Sequence, residues 1–242
     1  MGDANLDERI AGVASLAEPQ RRALYDLIVE RNDAVSKDEA AAALGVARSV
    51  AAFHLERLVA DGLLTTEFRR LSGRQGPGAG RPAKLYRRAD GEVAVSLPTR
   101  QYGLAAALLA AAVDGAMRSG APVEEILRRE ATERGRELGA RARDEAGAAA
   151  SPGARLDAAL SVLGEQGYEP HRDGDEIVLV NCPFHALVDD RRELVCGMNH
   201  DLLCGMAERV GNDVVAARLA PSEGTCCVRL DAAAPPPKDP RH

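Results

Sequence analysis

The sequence predicts a mainly α-helical fold with small β elements. It should have an N-terminal domain of helices and a hairpin, a central pair of helices, and a C-terminal α+β domain. Three observations carry this. Two helical periods separated by Gly45 fill the stretch from Ser36 to Leu64. Ala- and Leu-rich helical periodicity runs from Pro98 to Ala146. Short β-prone runs bounded by turns follow Asp175. Across 242 residues there are only three Phe, four Tyr and no Trp, so the cores must be built from Ala, Leu and Val.

Within the first stretch, Ser36 can cap a short helix, with Glu39 three residues on completing a capping box. Gly45 stands where a left-handed turn residue ends it. A second helix runs from about Ala47 to Ala60, with Ala51, Leu55, Leu58 and Val59 on its buried face. Arg48, Ser49, Ala52 and Phe53 fall on the other side, and Asp61-Gly62 stops it. Helix, glycine turn, helix is the pattern of a helix-turn-helix, whose second helix enters the major groove of DNA. An ordinary helical hairpin has the same pattern. Pro19 to Arg31 supplies a helix to pack behind these two, and the residues before about Ala17 read as frayed.

Leu63–Arg70 and Ala83–Ala89 are β-prone and flank LSGRQGPGAGRP, a Gly- and Pro-rich loop. Two strands joined by a basic loop form a wing, suited to phosphate or minor-groove contact. From Phe68 to Ala89 there are seven basic residues and no acidic one. The formal net charge of −6 does not oppose this reading, because residues 1–95 carry 14 basic and 14 acidic side chains and the deficit lies beyond them. Local field decides phosphate attraction.

The helices from Pro98 to about Ser119 and from Pro122 to about Ala146 have small side chains that permit close helix contact. They read as a linker and dimerisation element, or as a helical layer of the C-terminal domain. Gly147–Gly153 is a boundary. Beyond it, helices are expected at Leu156–Gly164 and Arg191–Arg209, and strands at Glu176–Asn181, Val214–Leu219 and Thr225–Leu230. The predicted organisation is therefore 1–96, 97–150, 151–232, and a disordered Pro-rich tail at 233–242.

All five cysteines fall in the C-terminal domain: Cys182, Cys196, Cys204, Cys226 and Cys227. Cys196, His200 and Cys204 are spaced i, i+4, i+8 and share a face if that stretch is helical. Cys226 and Cys227 point to opposite faces if they lie in a strand, so only one would join a site. Thiolates are ligands for zinc and iron–sulfur clusters, but a free Cys also serves as a small buried hydrophobe.

Residues 19–88 resemble the winged-helix domain of ArsR-like transcriptional regulators, on LGVARSVAAFHLERLVADGLL and the Gly-Arg-Pro wing tip of GRPAKLYR. The resemblance implies that Ala47–His54 faces the groove. Arg48 and Ser49 would lie at the contacting end, Phe53 against thymine methyls and His54 either at a phosphate or packed between helices, with Arg74, Arg81 and Lys84 on the wing. Residues 155–230 look like the C-terminal domain of the Suf-operon repressors, the iron–sulfur branch of that group. The similar features are a Cys-Pro after a strand, a second Cys about fourteen residues later, and a final Gly-x-Cys in the last strand. This implies an iron–sulfur cluster, with zinc as the alternative, on Cys182, Cys196 and Cys226. His200, Cys204, His185 or an external group would complete the set.

The expected function is a homodimeric, DNA-binding transcription regulator, a repressor, whose cysteines sense iron–sulfur or redox status. An organic-ligand sensor with structural thiols is the alternative. No hydrolase triad, P-loop or Rossmann fingerprint points to an enzyme. With no membrane-spanning run and no signal peptide, the expected location is the cytoplasm.

Overall fold

The computed structural model describes residues 6–70, 82–222 and 224–232. The fold is mainly helical with small antiparallel sheets, in two compact units, Met1–Val95 and Ser96–His242. Among the described residues no helix is long and apolar enough to cross a membrane.

The first unit contains α1 (Leu6–Ser15), α2 (Pro19–Arg31), β1 (Val35–Ser36), α3 (Lys37–Leu44), α4 (Arg48–Ala60), β2 (Leu64–Arg69) and β3 (Ala83–Arg88). α1 corrects the expected fraying. Gly12 packs close to Val93 and the Asp61 carbonyl, and the buried Ser15 binds the Arg21 guanidinium through its carbonyl and hydroxyl. α2 starts at Pro19, where the missing N–H costs nothing, and the Glu18 carboxylate accepts from the amides of Gln20 and Arg21.

Both halves of the Ser36–Glu39 capping box are made, at 2.8 and 3.2 Å. Gly45 ends α3 at φ +65°, a conformation glycine adopts without the Cβ penalty. α4 then leaves in a new direction and buries Ala51, Leu55 and Leu58 against Leu24, Ile28 and Tyr86. β2 and β3 pair antiparallel, Thr66 opposite Tyr86. β1, too short to show a sequence period, adds to the other edge of β3.

The second unit contains α5 (Tyr102–Ser119), α6 (Val123–Ala146), α7 (Pro152–Glu165), β4 (Pro170–Asp173), β5 (Glu176–Leu179), α8 (His185–Val210), β6 (Val215–Leu219) and β7 (Val228–Ala232). Its sheet is antiparallel in the order β4-β5-β7-β6. α8 is interrupted at Arg191, whose φ of −141° and ψ of 43° are not helical.

The predicted division between 97–150 and 151–232 is not present. α5 and α6 share one core with α7, α8 and the sheet, through Leu108, Ile126, Leu138, Leu163, Leu179 and Leu202. The physical reason lies at the α6–α8 crossing. A Cβ built on Gly135 would stand 1.8 Å from the Leu202 carbonyl oxygen, and one on Gly205 2.0 Å from that of Thr132. The two backbones touch, so α6 is an interior wall of this unit. The expected tail at 233–242 lies outside the described residues.

Candidate nucleic-acid interface and thiol centre

In the first unit, α4 exposes Arg48, Ser49 and Phe53 on the side opposite its buried stripe. Of the chain's three Phe, Phe53 and Phe68 are about two-thirds exposed, both in this unit, whereas Phe184 in the second unit is fully buried. Lys84 stands on β3, after the predicted loop. Arg74 and Arg81 lie outside the described residues.

His54 departs from the expected phosphate contact. It is buried, with Nδ1 3.5 Å from both a Glu18 carboxylate oxygen and Arg21 Nε. Three residues after Ala51 on the helix, it belongs to the inward stripe.

The basic run carries no acid of its own, yet the fold supplies acids to it. Arg48 Nε and Nη2 bind the two oxygens of Asp38 at 2.5 and 2.7 Å. Lys84 Nζ lies 2.6 and 2.8 Å from the Glu56 carboxylate, which also accepts from the Tyr86 hydroxyl at 2.6 Å. Arg69 pairs with Glu67 and Asp33, and Arg87 with Asp90. The hydrogen bond from Lys84, then that from Tyr86, hold the Glu56 carboxyl below its ordinary value. Asp38 and Glu56 were not legible as partners of this face, because each is ten or more residues from the base it meets.

In the second unit, four of the five thiols are gathered and buried. Cys182 follows β5, Cys196 stands on α8, and Cys226 and Cys227 precede β7. Cys182 shares a side-chain hydrogen bond with Cys226, Cys226 one with Cys227, and Cys227 one with Cys196. Both members of the Cys226–Cys227 pair therefore join the group. β7 begins only at Val228, so strand alternation does not separate them.

A cavity of about 380 Å³ opens on Cys182, Cys196 and Cys227, with His185, Arg192 and Thr225 around it. Behind it a buried chain fixes Cys226: the Tyr168 hydroxyl donates to Asn199 Oδ1 at 2.6 Å, and Asn199 Nδ2 donates to Cys226 Sγ at 3.2 Å.

Cys182, Cys196, Cys204 and Cys226 are held protonated. The bond with Cys226, then burial, raises Cys182 far above the ordinary range. At Cys226 the bond with Cys182 lowers the value, but the bond with Cys227 and burial bring it to about 11. Burial raises Cys196 and Cys204. Neutral buried thiols are poor nucleophiles.

His200 is not brought to this centre. It lines a separate cavity of about 900 Å³ and meets Cys204, whose Sγ is 3.4 Å from Nε2. Each four-residue step on α8 rotates the face by about 40°, which carries His200 and Cys204 away from Cys196. Among the described residues no three His, Cys, Asp or Glu side chains are grouped to hold one metal ion. As placed, Cys182, Cys196, Cys226 and His200 do not fit a cluster or a zinc ion.

One feature had no sequence signal. Arg100 Nη1 donates to Asn181 Oδ1 at 2.5 Å and to the Cys182 carbonyl at 2.7 Å. The buried Asn181 donates back to the carbonyls of Thr99 and Gly167, and the Gln101 amide to that of Pro183. The first residues of the second unit are thus tied to the loop that carries Cys182.

No family model, curated protein or solved structure matches this chain.

Proposed function

We propose that this chain is a DNA-binding transcription regulator in which the first unit is a winged helix-turn-helix and the second a thiol-centred sensor. One observation carries the reading. α4 follows the Gly45 turn with Arg48, Ser49 and Phe53 uncovered, and the β2–β3 hairpin follows α4 directly. An exposed helix face beside a basic hairpin is what groove insertion with flanking phosphate contact requires. Arg48, Ser49 and Phe53 are assigned to the groove, and Arg74, Arg81 and Lys84 to the phosphates.

The active form is a homodimer, so that two recognition helices engage paired half-sites. α5 supports this, because Ala106, Ala110, Val113 and Met117 are exposed on it. The regulator acts as a repressor in the cytoplasm and catalyses no reaction.

The four gathered thiols support the second unit as the place where an effector acts. An iron–sulfur cluster, with zinc as alternative, is proposed from the resemblance alone. An organic ligand is the second reading, supported by the cavity beside His200.

The test is a mobility-shift titration of full-length protein against its own upstream DNA at several salt concentrations. Salt-dependent, sequence-preferring binding is expected. Binding to no sequence, in any metal state, overturns the reading. Absorption spectra with iron and zinc analysis of anaerobically purified protein decide the cofactor.

A further inference from the structure

The contact between Arg48 and Asp38 uses only part of the guanidinium. A guanidinium carries five N–H donors in a rigid plane. Asp38 takes two of them, one on Nε and one on Nη2, through its two oxygens. This side-on fork leaves the end of the group, with one N–H on Nη1 and one on Nη2, as a second parallel fork. In the major groove, guanine N7 and O6 are the pair of acceptors that such a fork matches.

The carboxylate that holds Arg48 is itself well placed. Asp38 is the second residue of α3, whose start is fixed by the Ser36–Glu39 capping box. Arg48 is the first residue of α4, three positions beyond the Gly45 cap. The pair therefore spans the turn between the two helices, with both ends on ordered backbone. Both side chains are more than half exposed, at 68% for Arg48 and 53% for Asp38. The free fork is open to a ligand, and the carboxylate partly cancels the charge that would otherwise draw Arg48 to any phosphate.

We propose that Asp38 is a positioning residue that aims Arg48 at the N7 and O6 of a guanine, making a G·C pair beneath the start of α4 a principal determinant of the DNA sequence chosen. This rests on the DNA-binding reading above and adds which base is read and what directs the reader. Asp38 itself touches no base.

The test uses the full-length protein. Wild type is first selected against a library of randomised duplexes, and the preferred duplex is then changed one base pair at a time. At one guanine, substitution is expected to weaken wild-type binding roughly ten- to a hundredfold. Arg48→Ala should erase discrimination at that position and leave the others in place. Asp38→Asn and Asp38→Ala should also lower discrimination there, while binding to random duplex rises several-fold at low salt. The salt slope should steepen by about one as Arg48 turns to a phosphate.

Arg48→Lys should behave like Arg48→Ala at that base, since lysine lacks the fork. Circular dichroism of each variant establishes that it is folded before its binding is read. If wild type prefers some duplexes but Arg48→Ala changes no base preference, or the Asp38 variants keep full guanine discrimination, the inference is overturned while the DNA-binding reading stands. If wild type prefers no duplex, both fall.

Discussion

The two units hold their chemically distinctive side chains in opposite ways. In the first, Arg48, Lys84, Arg69 and Arg87 stand at the surface, and each is met by a carboxylate. In the second, Cys182, Cys196, Cys226 and Cys227 are buried, and are held by burial and by one another. A surface ion pair is weak and exchanges readily for another charged partner. A buried thiol group is part of the core, and changing it disturbs the packing around it. The first arrangement suits a face that must trade partners. The second suits a centre whose state is felt through a whole unit.

The largest expected effect tests how rigidly that second unit is built. Gly135→Val should destabilise it by more than about 4 kcal/mol, because the new side chain would enter the Leu202 backbone. Hydrogen exchange should show α6 and α8 opening while the α4 amides keep their protection. Unchanged protection in α8 would mean that the helices do not cross in contact.

A smaller effect separates buried thiols from surface charges by pH. The Cys226 thiol is raised from an ordinary 9.0 to about 11. Its contribution to stability is therefore intact below about pH 9 and is lost as pH rises toward 11, since only the unfolded chain ionises freely in that window. Urea unfolding at pH 8 and pH 10.5 should show a loss on the order of 2 kcal/mol from this group. Cys226→Ala should show a flatter pH dependence. An identical slope would mean that the thiol is not held neutral.

The smallest effect belongs to the first unit. Glu56→Gln should cost about 1 kcal/mol at pH 7, because Lys84 and Tyr86 lose an exposed carboxylate partner. The Glu56 carboxyl is held below its ordinary 4.5. Its stabilisation is present above that value and disappears as the pH falls through the lowered one. Denaturant curves of wild type and variant should therefore converge in acid.

What the sequence disclosed follows the same division. The buried stripe of α4, the Ser36 cap, the Gly45 turn and the β2–β3 pair were legible, because they repeat at a local period or use turn chemistry. His54 lies on the same stripe, and of the two roles open to it, phosphate contact and helix packing, its buried position takes the second. β1 and β4 are two and four residues long, too short for alternation to show.

At the thiol centre, clustering was legible from the cysteines falling late in the chain, but grouping was not. Strand alternation over 225–230 would turn Cys227 away from Cys226, but β7 begins only at Val228, and the i, i+4 spacing that would bring His200 to Cys196 leaves it at Cys204 instead. Asp38 and Glu56, and Arg100 behind Cys182, come from segments distant from the groups they meet, and nothing local announces them.

The tie made by Arg100 also sets an order of events while the chain is being synthesised. Its partners Asn181 and Cys182 lie 81 and 82 residues later. At 5–20 residues per second, roughly 4 to 16 s separate the appearance of Arg100 from that of its acceptors. The first unit, closed by residue 95, has all its own contacts in that interval. The second must hold its opening segment unfixed until the Cys182 loop has emerged, so its final structure waits for residues made well after that segment.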